Sequence, residues 1–292
     1  MNWSGILEVL PQTIVSGLAM GLVYALIAVG LSLIYGLMDI VNFAHGEYMM
    51  MAMYAAFWGW SLLGLDPLYS IPLCAVIMAA LGAATHFGIM RRILTAPSLA
   101  QISGTYGLVV LLRGLAQFLW KADFRTIVDP IVSGRIQILG LYVGTGKVVA
   151  AVGVLLTLGL LALLLNKTKL GLAIRTTASD REAAELMGIN TDLALAMGWA
   201  LGVGCTGVAG ALLANFNYIF PQVGALFGLL AFVAVALGGF GNLGGALVAA
   251  VLIGLFEAVG GLLIAPAYKY AVVFVIYLIT VLVRPYGLFG KF

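Results

Sequence analysis

Charged residues are scarce in this chain. Of its 292 residues, 14 are Lys or Arg and 11 are Asp or Glu, a share of 9%, whereas soluble proteins carry about 25%. Hydrophobic residues make up 63%, and several uncharged runs exceed the roughly 20 residues that a helix needs to cross a bilayer. This composition excludes a soluble domain. The net charge of +3 is small, and the basic residues cluster at the ends of apolar runs, so the charge reflects membrane orientation and not nucleic-acid binding.

Cysteine and histidine are equally rare. The two cysteines, Cys74 and Cys205, both lie within apolar runs, so we expect buried thiols and no disulfide. The two histidines, His45 and His86, lie on different runs with no Cys or carboxylate at metal-ligand spacing. No metal site is therefore expected, and we place His86 at the level of the lipid headgroups.

The residue sets that catalysis needs are also missing. The Gly146-Lys147 pair has Leu141 where a Walker A loop has its first Gly, and Val148 where that loop has Ser or Thr. No nucleophile, metal set or pair of acids can be assembled. The sequence therefore predicts no enzyme and no cofactor of its own. The first residues lack a basic region and a small-residue cleavage site, so no cleaved signal peptide is expected.

The apolar runs predict an all-α polytopic membrane protein with eight or nine transmembrane helices in a single domain, residues 1–292. Residues 225–237 form either a short span or a re-entrant segment. Arg91 and Arg92 end the third span and indicate the cytoplasmic side, so nine crossings put the amino terminus outside and the carboxyl terminus inside. Gly17 and Gly21 of the first span are suited to close helix contact. Residues 135–142 predict a short strand or an interfacial turn outside.

An internal repeat is indicated by four matches at a constant offset of 199 residues. The matching pairs are Gly46 and Gly245, Phe57 and Phe256, Pro67 and Pro266, and Tyr69 and Tyr268. Each copy consists of an apolar segment, a glycine-marked break, two further apolar segments separated by a Pro turn, and an Arg. Duplication and coincidence both remain open, although transporters are often built from such halves.

One long polar stretch, residues 166–192, interrupts the apolar chain and contains 8 of the 25 charged residues. Its four Lys or Arg residues predict a cytoplasmic loop between two spans. Within it, Ser179 and Glu182 fit a capping box, Asp180 adds negative charge to the first turn, and Gly188 is a natural stop. The stretch therefore predicts a helix of about two turns.

The predicted helix has a small apolar face formed by Ala183, Leu186 and Met187, with Arg181 and Glu185 pointing elsewhere. Two interpretations stay open. The face could dock into a groove on another protein, or it could pack on the chain's own bundle.

A second group of candidates comprises polar residues that the membrane disfavours, which normally face a cavity or a partner. We select as candidates for a substrate path Asn42, His45, Gly46, Glu47, Asn242, Gly245 and Glu257. Exposed backbone at glycine-marked breaks suits an amino-acid substrate with an ammonium, a carboxylate and an apolar side chain. The alternative for residues 42–47 is a connecting loop capped by Asn42. The alternative for Glu257 is a structural partner of Arg113 or of another subunit.

Two motifs carry a family resemblance. Glu182-Ala183-Ala184, three residues and Gly188 resemble the coupling signature of ABC-importer permeases, and residues 181–192 are similar to its form in branched-chain amino-acid permeases. Residues 42–47, Asn-Phe-Ala-His-Gly-Glu, are similar to a run in the LivH-like subunit of those importers. The resemblance implies that the helix sits in a cleft of a cytoplasmic ATPase. The residues that would contact the ATPase are then Asp180, Arg181, Glu182, Ala183, Ala184, Leu186, Met187 and Gly188.

The resemblance further implies a multi-pass protein of the bacterial inner membrane that pairs with a second, related permease. Two cytoplasmic ATPases, which would bind the ATP, and a periplasmic binding protein complete such a system. Leu, Ile and Val are the expected cargo, with urea, short amides or other amino acids as the alternative. An ion-coupled secondary transporter is a further alternative, for which only Glu47 and Glu257 supply buried carboxylates. We expect specificity to lie mostly in the binding protein.

Overall fold

The computed structural model describes residues 3–138 and 140–290. The helices are α1 Trp3–Met38, α2 His45–Leu63, α3 Pro67–Thr85, α4 Arg91–Ile93, α5 Ser98–Trp120, α6 Thr145–Lys167, α7 Lys169–Ser179, α8 Arg181–Leu186, α9 Thr191–Leu213, α10 Val223–Gly238, α11 Leu243–Leu263 and α12 Lys269–Val283. A π-helical turn, His86–Met90, joins α3 to α4, and a 3₁₀ turn, Pro266–Tyr268, precedes α12. Two strands, β1 Arg135–Ile138 and β2 Leu141–Gly144, complete the described elements.

Seven of the described helical segments are long and apolar enough to cross a membrane. They are Ile6–Met38, Pro67–Ile93, Ser98–Trp120, Thr145–Lys167, Thr191–Leu213, Leu243–Leu263 and Pro266–Val283. The all-α polytopic class is confirmed, but the expected count of eight or nine spans is higher than this number. Helix α10 has only 16 residues, and α2 begins with His45 and Glu47 and is rich in aromatic residues.

The bundle has two chemically distinct ends. At one, which we call the basic end, a cavity is lined by Leu37 of α1, Asn166 of α6, Arg175 of α7 and Leu243 of α11. Helices α4, α8 and the start of α9 lie at the same end, where Asp192 forms ion pairs with Arg91 and Arg181. At the opposite end Lys147 donates to the Ser16 hydroxyl at 2.7 Å. Arg91, Arg92, Lys167, Lys169, Arg175 and Arg181 lie in the segments at the end that holds α7 and α8, as expected for the cytoplasmic side of a membrane protein.

Glycines bring the central helices into backbone contact. Gly17 and Gly21 of α1 lie against Gly254 and Val251 of α11, so closely that a Cβ on Gly21 would stand 2.8 Å from the Val251 Cα. This confirms the close helix contact predicted from the small residues at positions 17 and 21. Such approach allows extensive van der Waals contact, the main attraction between helices in lipid.

Helices α2 and α10 both begin inside the bundle. After α1 ends at the basic end, residues 39–44 return into the interior, where Ala44 is fully buried and α2 starts. Helix α10 likewise starts at buried Val223 and ends at Gly238, which packs against Gly245 near the start of α11. Residues 225–237 therefore lead to the basic end and do not turn back.

The strands form an antiparallel hairpin in which Arg135 pairs with Gly144 and Ile136 with Val143. This confirms the strand that the sequence predicts, and it lies next to the start of α6, at the end opposite α8. Both cysteines, Cys74 and Cys205, are buried free thiols, also as predicted.

Candidate functional site

The first candidate site is helix α8 at the basic end. Its amino-terminal cap is Asp180, whose side chain accepts from the Ala183 backbone N–H at 2.9 Å, because a carboxylate satisfies a free amide of the first turn. The prediction that Ser179 caps this helix is wrong, since Ser179 is the last residue of α7. Gly188 has φ +82° and ends the helix as predicted.

The apolar face of α8 is turned to solvent. The exposed fractions of Leu186 and Met187 are 89% and 82%, and Ala183 is also exposed. Ala184, on the other side, is fully buried. The face predicted from the spacing of Ala183, Leu186 and Met187 is therefore present, and it does not pack on the chain's own bundle. Two exposed long apolar side chains beside each other are typical of an interaction site when they form a patch.

A network of polar contacts fixes α8 to two spans. Asp192 at the start of α9 contacts Arg91 of α4 at 2.7 Å and Arg181 of α8 at 3.4 Å. Glu185 of α8 accepts from the Thr191 hydroxyl at 2.5 Å and from Arg181 at 3.2 Å. The hydrogen bond from Thr191 and, to a smaller extent, the one from Arg181 lower the pKa of the Glu185 carboxyl. The helix is thus tied to α4, at the end of the span Pro67–Ile93, and to the start of α9.

The second candidate site lies in the interior, where the starts of α2 and α10 meet. Gly46 of α2 stands against the main chain of Gly224 and Gly228 of α10, a contact that leaves no room for a side chain. The positive ends of both helix dipoles therefore point into the same region. Asn42, His45 and Glu47 are all at least 98% buried there, so residues 42–47 do not form an interfacial loop.

Each of these polar side chains has one partner. The His45 Nε2 donates to the Ile27 carbonyl of α1 at 2.9 Å, and the Asn42 Oδ1 accepts from the Ala44 backbone N–H at 3.1 Å. Glu47 pairs with Arg113 of α5 through Oε1. The structure thus brings Asn42, His45, Gly46 and Glu47 together around the start of α2.

The other three predicted path residues lie elsewhere. Asn242 begins α11 at the basic end, where its Oδ1 accepts from the Gly245 backbone N–H at 3.0 Å and its Nδ2 donates to the Phe289 carbonyl at 3.1 Å. Glu257 accepts from Lys269 and from the Tyr24 hydroxyl, each at 2.6 Å. The alternative in which Glu257 is a partner of Arg113 is not found, because Arg113 pairs with Glu47.

A comparison with known protein families identifies the chain. The profile of the family described as the permease component of the branched-chain amino acid transport system matches residues 13–281. The chain belongs to this permease family. It is accordingly a multi-pass membrane permease and not an enzyme.

Several curated relatives align with the permease over nearly its whole length. The permease protein BraD of the high-affinity branched-chain amino acid transport system of Pseudomonas aeruginosa is 31% identical over 293 residues, covering 96% of this chain and 95% of BraD. The corresponding LivH of Escherichia coli is 27% identical over 297 residues, covering 96% and 95%. The probable branched-chain amino acid permease LivH of Methanocaldococcus jannaschii is 29% identical over 282 residues, covering 91% and 88%. No solved structure matches the chain.

Sequence reasoning missed two features of the permease. It did not predict the ion pair between Arg113 and Glu47, which are 66 residues apart. A lone Arg seven residues inside a span was a signal that a buried acid would pair with it. It also gave no sign that the His86 side chain is fully buried in the protein; its position at the headgroup level stays a prediction. The π-helical turn that begins at His86 has no signature in the local sequence.

Proposed function

We propose that this permease forms half of the translocation path of an ATP-driven importer for Leu, Ile and Val. Its partners would be a second homologous permease, two cytoplasmic ATPase subunits that bind and hydrolyse ATP, and a periplasmic binding protein. Family membership and the branched-chain amino acid transport named for the relatives support the cargo. In a bacterium the complex would lie in the inner membrane, with α8 on the cytoplasmic side.

One observation carries the coupling role, namely the exposed apolar face of α8. Leu186 and Met187 stand free in the chain described here, while Asp180, Gly188 and the Asp192 contacts hold the backbone of α8 in place. A short helix that is held in place by contacts to its own chain and is apolar on its exposed side suits a groove on a partner protein. Closure of the ATPase dimer would then move α8 and, through Asp192, the spans α3 and α9.

Reconstitution tests the transport role. Proteoliposomes containing both permeases and both ATPases should take up leucine only when ATP and the binding protein are supplied. Uptake by this chain alone, driven by an ion gradient, would identify a secondary transporter instead. Uptake of urea or short amides in place of leucine would contradict the proposed cargo and leave the importer assignment standing.

Charge substitutions on α8 test the coupling role. Met187→Glu places a charge on the free face without touching a described contact of the bundle, and we expect at least about tenfold weaker ATPase co-purification, since a buried apolar anchor is worth about 1.4 kcal/mol or more. Leu172→Glu makes the same change on α7, at a residue that is also exposed, and serves as the matched control. Equal co-purification of both variants with the ATPase would refute docking through α8.

A further inference from the structure

Three polar side chains with unused hydrogen-bonding atoms line one cavity in the interior. The cavity has a volume of about 280 Å³ and lies between the start of α2, the middle of α5 and the start of α10. Within the described part of the chain, Asn42 Nδ2, Glu47 Oε2 and Arg113 Nε are buried without a hydrogen-bond partner. Buried polar atoms are almost always paired in proteins, so this concentration points to a missing occupant.

The ion pair between Glu47 and Arg113 uses only part of each group. It engages Oε1 of the carboxylate and one terminal nitrogen of the guanidinium, which leaves Glu47 Oε2 as an acceptor and other Arg113 nitrogens as donors. Glu47 is 2% exposed. Its free oxygen faces Gly224, where an added Cβ would stand 3.0 Å away, so a side chain at this position would press against the carboxylate.

We propose that this cavity is a recognition site for the zwitterionic head group of the transported amino acid, an inference that rests on the function proposed above. Glu47 Oε2 accepts from the ammonium, and Arg113 and the Asn42 amide donate to the carboxylate. The apolar part of the wall, which includes Leu31, Val109 and Phe232, holds the aliphatic side chain.

The charges of the site favour a zwitterion over other solutes. One carboxylate and one guanidinium match a ligand that carries one charge of each sign. A simple anion would be repelled by Glu47, and a simple cation would be repelled by Arg113. A neutral amide needs only neutral donors and acceptors. Formal charges inside a membrane are costly and are kept where a function uses them, so this pair indicates a ligand with two charges.

The mouth of the cavity opens on the lateral surface of the helix bundle. Arg113 is 31% exposed, and Phe43 and Tyr106 on the rim are also exposed. Because lipid disfavours an exposed guanidinium, this face belongs against the second permease, and the site then lines the path between the two subunits. The permease would thus contribute to specificity that we otherwise expected mostly from the binding protein.

Ligands that lack one charge test the proposal. Binding is measured by competition against radiolabelled leucine on the purified complex of permeases and ATPases, without the binding protein. The competitors are isocaproate, which lacks the ammonium, and isoamylamine, which lacks the carboxylate. We expect the unmodified complex to bind leucine at least about tenfold better than either analogue, since close charge pairs contribute at least this much.

Substitutions then assign each charge. Glu47→Gln should weaken leucine binding at least about tenfold without weakening isocaproate, while Arg113→Gln should weaken leucine without weakening isoamylamine. Asp66→Asn removes another buried carboxylate that lies outside this cavity and should change none of them. Equal losses for leucine and isocaproate in Glu47→Gln would show a merely structural role and overturn the proposal.

Two further outcomes keep the inference separate from the transport function. If the complex transports leucine with its binding protein but binds leucine no better than the one-charge analogues, the recognition site is refuted and the importer stands. If the Gln variants fail to assemble, Glu47→Asp and Arg113→Lys retain the charges, and unchanged leucine preference in both would count against direct contact, because shortened or reshaped side chains must alter the reach to the ligand.

Discussion

Gly46→Ala offers a sharp test of the interior, where α2 and α10 meet. A Cβ at this position would stand 2.8 Å from both the Cα and the backbone nitrogen of Gly228, and closer still to the Gly224 carbonyl oxygen. All of these atoms belong to the main chain of α10, so no rotamer change can relieve the overlap. Real Cβ contacts do not fall below 3.0 Å, and the start of α10 must therefore move.

The expected cost follows from overpacking, which destabilises by about 1–3 kcal/mol and occasionally more. Replacing a helical Gly by Ala also gains up to about 1 kcal/mol of helix propensity, so a control must remove this second effect. Gly59 is a buried glycine of the same helix whose added Cβ would meet only the Ser70 Cβ at 4.0 Å, an ordinary contact. The difference between Gly46→Ala and Gly59→Ala then isolates the steric effect.

Thermal inactivation of the detergent-purified protein, followed by size-exclusion chromatography, measures this difference. One kcal/mol corresponds to about 2–4 °C for a domain of 150–250 residues, so we expect Gly46→Ala to inactivate at least about 2 °C below Gly59→Ala. Leucine transport should fall as well, since Asn42 and Glu47, which we propose to line the path, flank this contact. Equal inactivation temperatures would refute the close approach of α2 to α10.

Two further predictions concern the basic end. Because the hydrogen bond from Thr191 lowers the pKa of Glu185, the contribution of this bond to the attachment of α8 should be complete above the ordinary pKa of the carboxyl and be lost as the pH falls through its lowered pKa. The protection factors of the α8 amides, which are exchange rates corrected for their intrinsic pH dependence, should therefore fall in acid, and pH-independent protection factors would contradict this. Asn242→Ala should lower the free energy of unfolding by about 0.5–2 kcal/mol, since it removes the cap on the Gly245 backbone N–H and the hydrogen bond to the Phe289 carbonyl. Asn217 caps no helix, so Asn217→Ala is the control. Equal thermal stability of the two variants would exclude the cap.

The helices themselves followed from hydropathy, and α8 followed from its capping and stop residues. Within residues 166–192, however, α7 was missed, although Thr168 caps it by accepting from the Gly171 backbone N–H at 3.0 Å. The cap of α8 was placed one residue early because Ser179 and Asp180 are both good caps. Neighbouring residues of equal propensity are separated only by tertiary contacts, which a sequence does not display.

Depth within the bundle was the main feature beyond reach of the sequence. Apolar runs show that α2 and α10 exist, but nothing in their composition shows that both begin in the interior. The pairing of Glu47 with Arg113 depends on how α5 packs against α2, a contact between segments 66 residues apart. The unused atoms on these side chains emerge only once that packing is known. The internal repeat stays a prediction.

Asp192 joins three segments of the chain at one carboxylate, and this has a mechanical consequence. A force applied to Met187 acts on α8, and Arg181 of α8 contacts Asp192 in the first turn of α9. Asp192 also contacts Arg91, so the force reaches α4 and α9 together. Helices α3 and α9 are themselves in close backbone contact at Gly207, so they resist sliding past each other. A movement of α8 would therefore displace α3 and α9 as one stiff block. Helices α1 and α2 would follow, because Gly202 and Gly210 of α9 lie equally close to the backbone of Gly30 and Met49.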